Sequence, residues 1–408
     1  MDKLHMLKSR KYFTALVCAV MIQVFFGSVR CGGGGGGSDA PAGDPGTSAA
    51  ETGWHGVRCI ESDGNTGRHT SIAITGNTIY IAYQKYIGVA RYDLKITSSE
   101  NGGESFSSVT VDGVANSNGY HTASTVDDDG NVYVSYYTQY SADNTGAVKC
   151  ARLLSGNSDW LISTVQTMGV PTSPEFATSS ITTDSWGVVF SGFYHWSSKE
   201  LRFSRSFDNG ATWVSPITVD SNIGAGMSNA IGIIENMGIH VILAYRQMVS
   251  GDNNDILKVT RSSDAGTSWD SGNTTTISNT DDYYDVSMAI SSDGNIYVVS
   301  QGDAIGVHYS NDGGSNFTPL LSPGDGSNPR IAINDSGVIF IAYINNDGNL
   351  CLARSANNGG SWETVVVDSG NFDYNAIAVE GNIVCISYYD VANGDLKFAR
   401  SIDGGLTW

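Results

Sequence analysis

Apolar positions in this chain fall into short runs of β-branched and aromatic residues, separated by turns of Gly, Asn, Asp and Ser. In the last unit, Ala376 to Val379 is one run, Glu380-Gly381-Asn382 a turn, and Ile383 to Tyr389 a strongly apolar and aromatic strand. A polar loop follows, then a third strand from Leu396 to Arg400. Other units add a fourth run rich in Val and Thr, as in Ser107 to Asp112 and Glu363 to Asp368. No stretch carries the helical period, so the pattern predicts an all-β protein.

One eight-residue pattern closes each unit. Its clearest copies are Ser206 to Trp213, Ser262 to Trp269 and Ser401 to Trp408; looser ones end at Phe106, Phe317 and Trp362. A decayed copy runs from Leu153 to Trp160, with Ser155 in the Asp place and Asn157 in the Gly place. The seven closing aromatics, Phe106, Trp160, Trp213, Trp269, Phe317, Trp362 and Trp408, lie 45 to 56 residues apart, which marks one supersecondary unit repeated. Four antiparallel strands per unit, repeated radially, make propeller blades, so a seven-bladed β-propeller is expected. Val57 to Ser62 precedes the first full unit, and the last unit lacks a fourth strand; the segment is expected to complete that blade and remove the open edges.

The pattern reads physically as a turn. Asp208, Asp264, Asp312 and Asp403 can accept hydrogen bonds from turn amides, and Asn101 and Asn357 can do the same. Gly at the fifth place supplies positive φ, and an aromatic such as Trp213, Trp269, Trp362 or Trp408 anchors the turn in an apolar layer. Ser-x-Asp-x-Gly-x-Thr-Trp resembles the Asp box of the bacterial neuraminidase repeat, found in sialidases and other β-propellers. The resemblance covers Val57 to Trp408.

The N-terminus carries an address. Lys3, Lys8, Arg10 and Lys11 precede an apolar stretch from Phe13 to Val29, so residues 1–30 read as a secretory signal. Cys31, six glycines and Ser38-Asp39 resemble the lipidated start of a bacterial lipoprotein, although Arg30 stands where a small residue is usual. Residues 31–53 read as a flexible tether and 54–408 as the propeller. Export to the cell envelope or the exterior is expected, with membrane contact only through a lipid anchor and a monomeric state. Without residues 1–30 the net charge falls from −19 to −23, which argues against nucleic acid as a partner and for a glycan or protein ligand. Cys59, Cys150, Cys351 and Cys385 lie in expected strands and read as buried free thiols, with disulfides open to an exported protein.

The repeat also permits a subtraction. Arg152, Arg205, Arg261, Arg354 and Arg400 stand at one repeat position, and Lys95, Lys149, Arg202, Lys258 and Lys397 at another, so both sets read as blade supports. Arg58, Arg68, Arg91, Arg246 and Arg330 have no such place. The Asp-box turns occupy one face of the ring, so function is expected on the other, among its longer loops. His69, His121, Tyr284, Asp373 and Tyr374 gather there at blade entries, with Trp196 and Tyr389 in the second loop set. Aromatics among amides and carboxylates suit sugar rings. Tyr83, Tyr343 and Tyr388 recur at the ends of second strands and read as blade caps.

Carbohydrate binding is therefore the primary expectation. The sialidase resemblance implies a second: three arginines around a sugar carboxylate, a Tyr nucleophile with a Glu partner, and an Asp acid/base. Arg68, Arg246 and Arg330 would be the arginines, Tyr374 or Tyr284 the nucleophile, Glu175 its base, and Asp285 or Asp63 the acid. The Arg-Ile-Pro start and six blades usual in sialidases are not matched. A protein-interaction scaffold is the third expectation. Asp127 to Gly130 and Asp252 to Asp255 are oxygen-rich enough for Ca²⁺ but read more simply as turns; no other cofactor is expected.

Overall fold

The computed structural model describes residues 54–88, 91–113, 117–140, 145–169, 178–236, 238–249, 255–278, 285–302 and 304–408. They form twenty-eight strands in seven blades of four, with one 3₁₀ turn at Ser271–Asn273 and no α-helix among the described residues. The innermost strands are Thr66–Thr75, Ser117–Val126, Ser179–Thr183, Ala225–Glu235, Val286–Ile290, Gly326–Ile333 and Phe372–Glu380, and we number the blades in that order. The fourth strands read from the sequence at Ser107–Asp112 and Glu363–Asp368 keep those bounds. Closure follows the expectation: Gly56–Glu61 pairs antiparallel with Asp395–Ser401 and becomes the outermost strand of blade 7.

The core does not sit at the centre of the ring. Buried hydrophobics form seven clusters, one at each blade–blade interface, such as Tyr133 and Val148 of blade 2 against Ile181 and Phe193 of blade 3. A single twisted sheet has two apolar faces and can bury both only between neighbours, so each blade depends on the next.

The Asp boxes are the stitches of this arrangement. In six of them the serine hydroxyl accepts from the glycine amide at 2.8–3.0 Å. The same hydroxyl donates to the Asp or Asn side chain, which in turn takes the amide at the Thr place. The decayed copy keeps only a backbone turn, Asn157 N–H to Leu154 O at 3.0 Å. The aromatic anchors between blades, not merely between strands: Trp269 meets Phe203 at 5.3 Å and Phe106 meets Phe398 at 5.2 Å. The glycine has a second duty there, because a Cβ on Gly266 would lie 2.2 Å from the Phe203 ring.

Three of the five recurring arginines, Arg152, Arg205 and Arg261, reach forward to the next blade's box. Arg152 donates to the carbonyls of Asp208 and Asn209, and Arg205 to that of Ala265. Arg58 does the same for ring closure, donating to Gly103 and Glu104 carbonyls, so it is a structural arginine after all. Its position was invisible to the repeat count because it sits on the strand taken from the other end of the chain. The recurring lysines form a second seam on the opposite rim. Asp112 accepts from Tyr136 and Lys149 of the next blade, Asp220 from Tyr245 and Lys258, Asp368 from Tyr388 and Lys397, and Glu61 from Tyr83 and Lys95. Tyr83 and Tyr388 are thus blade supports, as their recurrence implied.

Cys150, Cys351 and Cys385 are free and buried, and burial pushes the Cys150 and Cys385 thiols up to about 12. Cys59 departs from the expectation of free thiols: it is disulfide-bonded, on an outermost strand where its side chain is only half-buried.

Candidate functional site

Each innermost strand enters from the rim opposite the Asp boxes, and there the repeat is interrupted by backbone irregularity. Strand pairing shifts register at Arg68/Ser71, Tyr120/Ala123, Ser327/Arg330 and Asp373/Ala376. At the same step of blades 1, 2, 6 and 7, His69, His121, Asn328 and Tyr374 hold φ between 48° and 52°. Asn tolerates the left-handed region; for His and Tyr each such residue costs about 1–3 kcal/mol, a strain that clusters at functional sites. The bulges turn these side chains to the mouth of the central channel.

An aromatic arc results. Ring centroids are spaced 5.3 Å from Tyr86 to Tyr92, 5.7 Å to Tyr120, 5.9 Å to His69, 4.4 Å to Tyr374 and 6.2 Å to Tyr389. His121 lies 4.2 Å from His69. Tyr86 is exposed, whereas Tyr389 and His69 are buried, so the arc runs inward from the surface. The Arg68 guanidinium lies 5.9 Å from the Tyr374 ring and 5.7 Å from that of Tyr389.

Beside the arc is a charged group. Arg330 pairs with Asp285 at 3.5 Å, and Asp373 accepts from the Tyr374 amide at 2.9 Å and from the Asn328 amide group. Burial raises the Asp373 pKa, its own hydrogen bonds and Arg330 pull it down, and Asp285 adds to the rise. Burial, then His121 and Arg68, holds His69 well below the usual histidine range, so its ring is neutral. Among the described residues its Nδ1 has no hydrogen-bond partner and neither has Asn375 Oδ1. Both residues line a channel cavity of about 260 Å³ to which all seven blades contribute, with Asp285, Arg330 and Tyr374 at its wall.

The structure therefore brings together His69, His121, Arg68, Tyr374, Tyr389, Asp285, Arg330 and Asp373. Arg246 is 9% exposed, bonds Asp255 in a buried ion pair and does not line the channel cavity. Glu175 and Tyr284 lie outside the described residues, as do Cys31 and Asp252. Asp63 is held by Lys85 at 2.8 Å. The ends of the second strands are mostly interblade packing: Tyr137, Tyr194, Tyr245, Tyr343 and Trp196 are buried, the Trp196 ring tilted 4.9 Å from that of Tyr137 and its Nε1 donating to Gly169 O. The reason is that second-strand ends meet the neighbouring blade before they meet solvent. Asp127 is occupied by its own turn, accepting from the Asp129 and Asn131 amides. Sequence reading passed over Tyr92 and Asn375. Tyr92 carried a signal, since it stands directly across the hairpin from Tyr86; Asn375 carried none.

Among known proteins, residues 186–386 match the BNR repeat-like domain family. No curated protein matches the sequence. A Penicillium chrysogenum alpha-L-arabinanase complexed with arabinobiose is similar in structure at TM-score 0.55 and 11% identity, over 88% of this chain and 100% of that one. A protein of unknown function from Dyadobacter fermentans matches at TM-score 0.53 and 14% identity, over 85% and 98%. The Hadza microbial sialidase Hz136 matches at TM-score 0.48 and 14% identity over 82% of this chain, which spans 65% of the sialidase. At these identities the arabinanase and the Dyadobacter fermentans protein speak to the fold alone. The chain is a seven-bladed β-propeller of which residues 186–386 are similar to the BNR repeat-like domain.

Proposed function

We propose that this protein binds an extended glycan at the channel mouth opposite the Asp boxes. The aromatic arc from Tyr86 to Tyr389 carries the reading: its ring centroids lie 4.4–6.2 Å apart and the arc leads to polar groups that can orient a sugar. Buried polar atoms without partners among the described residues, His69 Nδ1 and Asn375 Oδ1, are what sugar hydroxyls would satisfy, since a hydroxyl can donate or accept. The arabinobiose complex of a similarly folded arabinanase is consistent with a carbohydrate at a propeller of this type. The basic and then apolar residues 3–29 support export, and Cys31 is the point where a lipid would be attached.

The test is calorimetry on a panel of oligosaccharides of increasing length. Affinity is expected to rise with length, and Tyr374→Ala and Tyr92→Ala are each expected to weaken it about tenfold. Absence of affinity for every glycan would sink the reading and favour a protein ligand. Hydrolysis is a second reading, supported by Asp373, whose raised pKa beside Asp285 and Arg330 suits a general acid paired with a second carboxylate. Wild type, Asp373→Asn and Arg330→Ala are compared on fluorogenic arabinosides and sialosides; turnover that vanishes in Asp373→Asn supports it, and no turnover by wild type removes it.

A further inference from the structure

The Asp-box face, expected to be idle, carries the larger cavity. Its volume is about 680 Å³, and it opens between the inner ends of blades 3 to 6. The boxes and the first hairpin turns share this face, as the Gly404 amide to Asn382 O and Ala265 amide to Ile239 O bonds show. Half-buried Ile231, Ile233, Met288, Ile290 and Ile333 form an apolar floor. Exposed Glu235, Asp293 and Asp335 form the rim, and no Lys, Arg or His lines the cavity.

Among the described residues none of those three carboxylates forms an ion pair. Glu235 takes two hydrogen bonds from Ser185, at 2.6 Å each, and so holds the turn that presents Trp186, 70% exposed. In that turn Asp184 is 4% exposed, and its Oδ2 has no hydrogen-bond partner among the described residues. Burial raises its pKa, and Glu235 adds to the rise. Phe207, 65% exposed, stands on the Asp box of the same blade. An anion finds no counter-charge here, and a sugar finds no aromatic face in the cavity wall. An aliphatic stem with a cationic head fits both floor and rim, and that is the anatomy of lysine and arginine side chains.

We propose that this funnel docks a basic segment of a partner protein, whose lysine or arginine stems lie on the Ile/Met floor while their heads meet Glu235, Asp293 and Asp335. Trp186 and Phe207 are the exposed aromatic anchors beside it, of the kind that concentrates binding energy at interfaces. The surplus of negative charge on the chain speeds the encounter, and its share weakens with salt.

The experiment titrates the full chain with three synthetic peptides, one alternating Lys and Leu, one alternating Glu and Leu, and one of Lys and Ser. Only the Lys/Leu peptide is expected to bind tightly and to change Trp186 fluorescence. Asp293→Asn/Asp335→Asn leaves the Ser185 turn intact and is expected to weaken that binding about tenfold, and Trp186→Ala about as much. A control, Asp128→Asn/Asp129→Asn, removes two exposed carboxylates from blade 2 and is expected to change it less than about twofold. Equal loss in the control, or equal affinity for the Lys/Ser peptide, would show bulk electrostatics and overturn the proposal, as would no binding of the Lys/Leu peptide. Oligosaccharide binding at the other rim is read separately, so either assignment can fail alone.

Discussion

At the Asp-box rim, Ser206, Ser262, Ser310, Ser355 and Ser401 make the same contacts in blade after blade, each within four residues of itself. At the opposite rim one structural step is filled by His69, His121, Asn328 and Tyr374, and their neighbours come from other blades. The first rim is local chemistry repeated, and its loss weakens a seam. The second is strained backbone supporting unlike side chains, the arrangement on which the proposed glycan site rests. The difference also warns against a simple division of labour, because the regular rim surrounds an acidic funnel that the repeat does not explain.

The comparison is open to direct attack. The largest effect is expected at the box glycines. Gly266→Ala places a Cβ 2.2 Å from Phe203 at φ +79 and should cost about 2–4 kcal/mol in urea unfolding. A neutral result would mean the box does not clamp blades 3 and 4. Next is the lysine seam. Tyr388→Phe removes the hydroxyl that donates to Asp368 at 2.7 Å, and should cost about 1–2 kcal/mol by the same measurement.

Acid separates the Asp boxes from the buried histidines by pH. Hydrogen bonds depress Asp208, Asp264, Asp312 and Asp403 to about 2, so their contribution is present above the unfolded carboxylate pKa and fades as pH falls through about 2. His69 and His308 are depressed instead by burial, His308 to about 4. The unfolded chain therefore takes up their protons first, and stability begins to fall as pH drops below the unfolded histidine value near 6.5. In unfolding midpoints measured against pH, His308→Gln should flatten the upper part of the profile, and Asp208→Asn only the lower part. The smallest effect on folding is expected at the strained rim. Tyr374→Asn keeps a residue that tolerates positive φ, so stability should move by less than about 1 kcal/mol while glycan affinity falls. A large stability loss would make Tyr374 a packing residue and blur the two rims.

Much of the ring was legible because its signals are short-range. The fourth strands at Ser107–Asp112 and Glu363–Asp368, the box turns and the closing strand all follow from alternation, turn chemistry and period. Site residues were legible only as a pool. His69, His121, Asp285, Asp373 and Tyr374 could be put on the rim opposite the Asp boxes, yet Trp196 came with them and is buried between blades. Arg58 and Arg246 looked alike as arginines outside the repeat; one supports ring closure and the other a buried ion pair.

By itself the sequence determined the blade count, the strand order and the recurring turns, because each depends on residues a few positions apart. Tertiary structure decided which polar groups meet. His69 and Tyr374, 305 residues apart, touch only because Gly56–Glu61 completes blade 7 and sets it against blade 1. The funnel on the other face likewise exists only where four inner strands converge. Contacts of that kind join residues far apart in the chain, so no local pattern specifies which of their side chains meet.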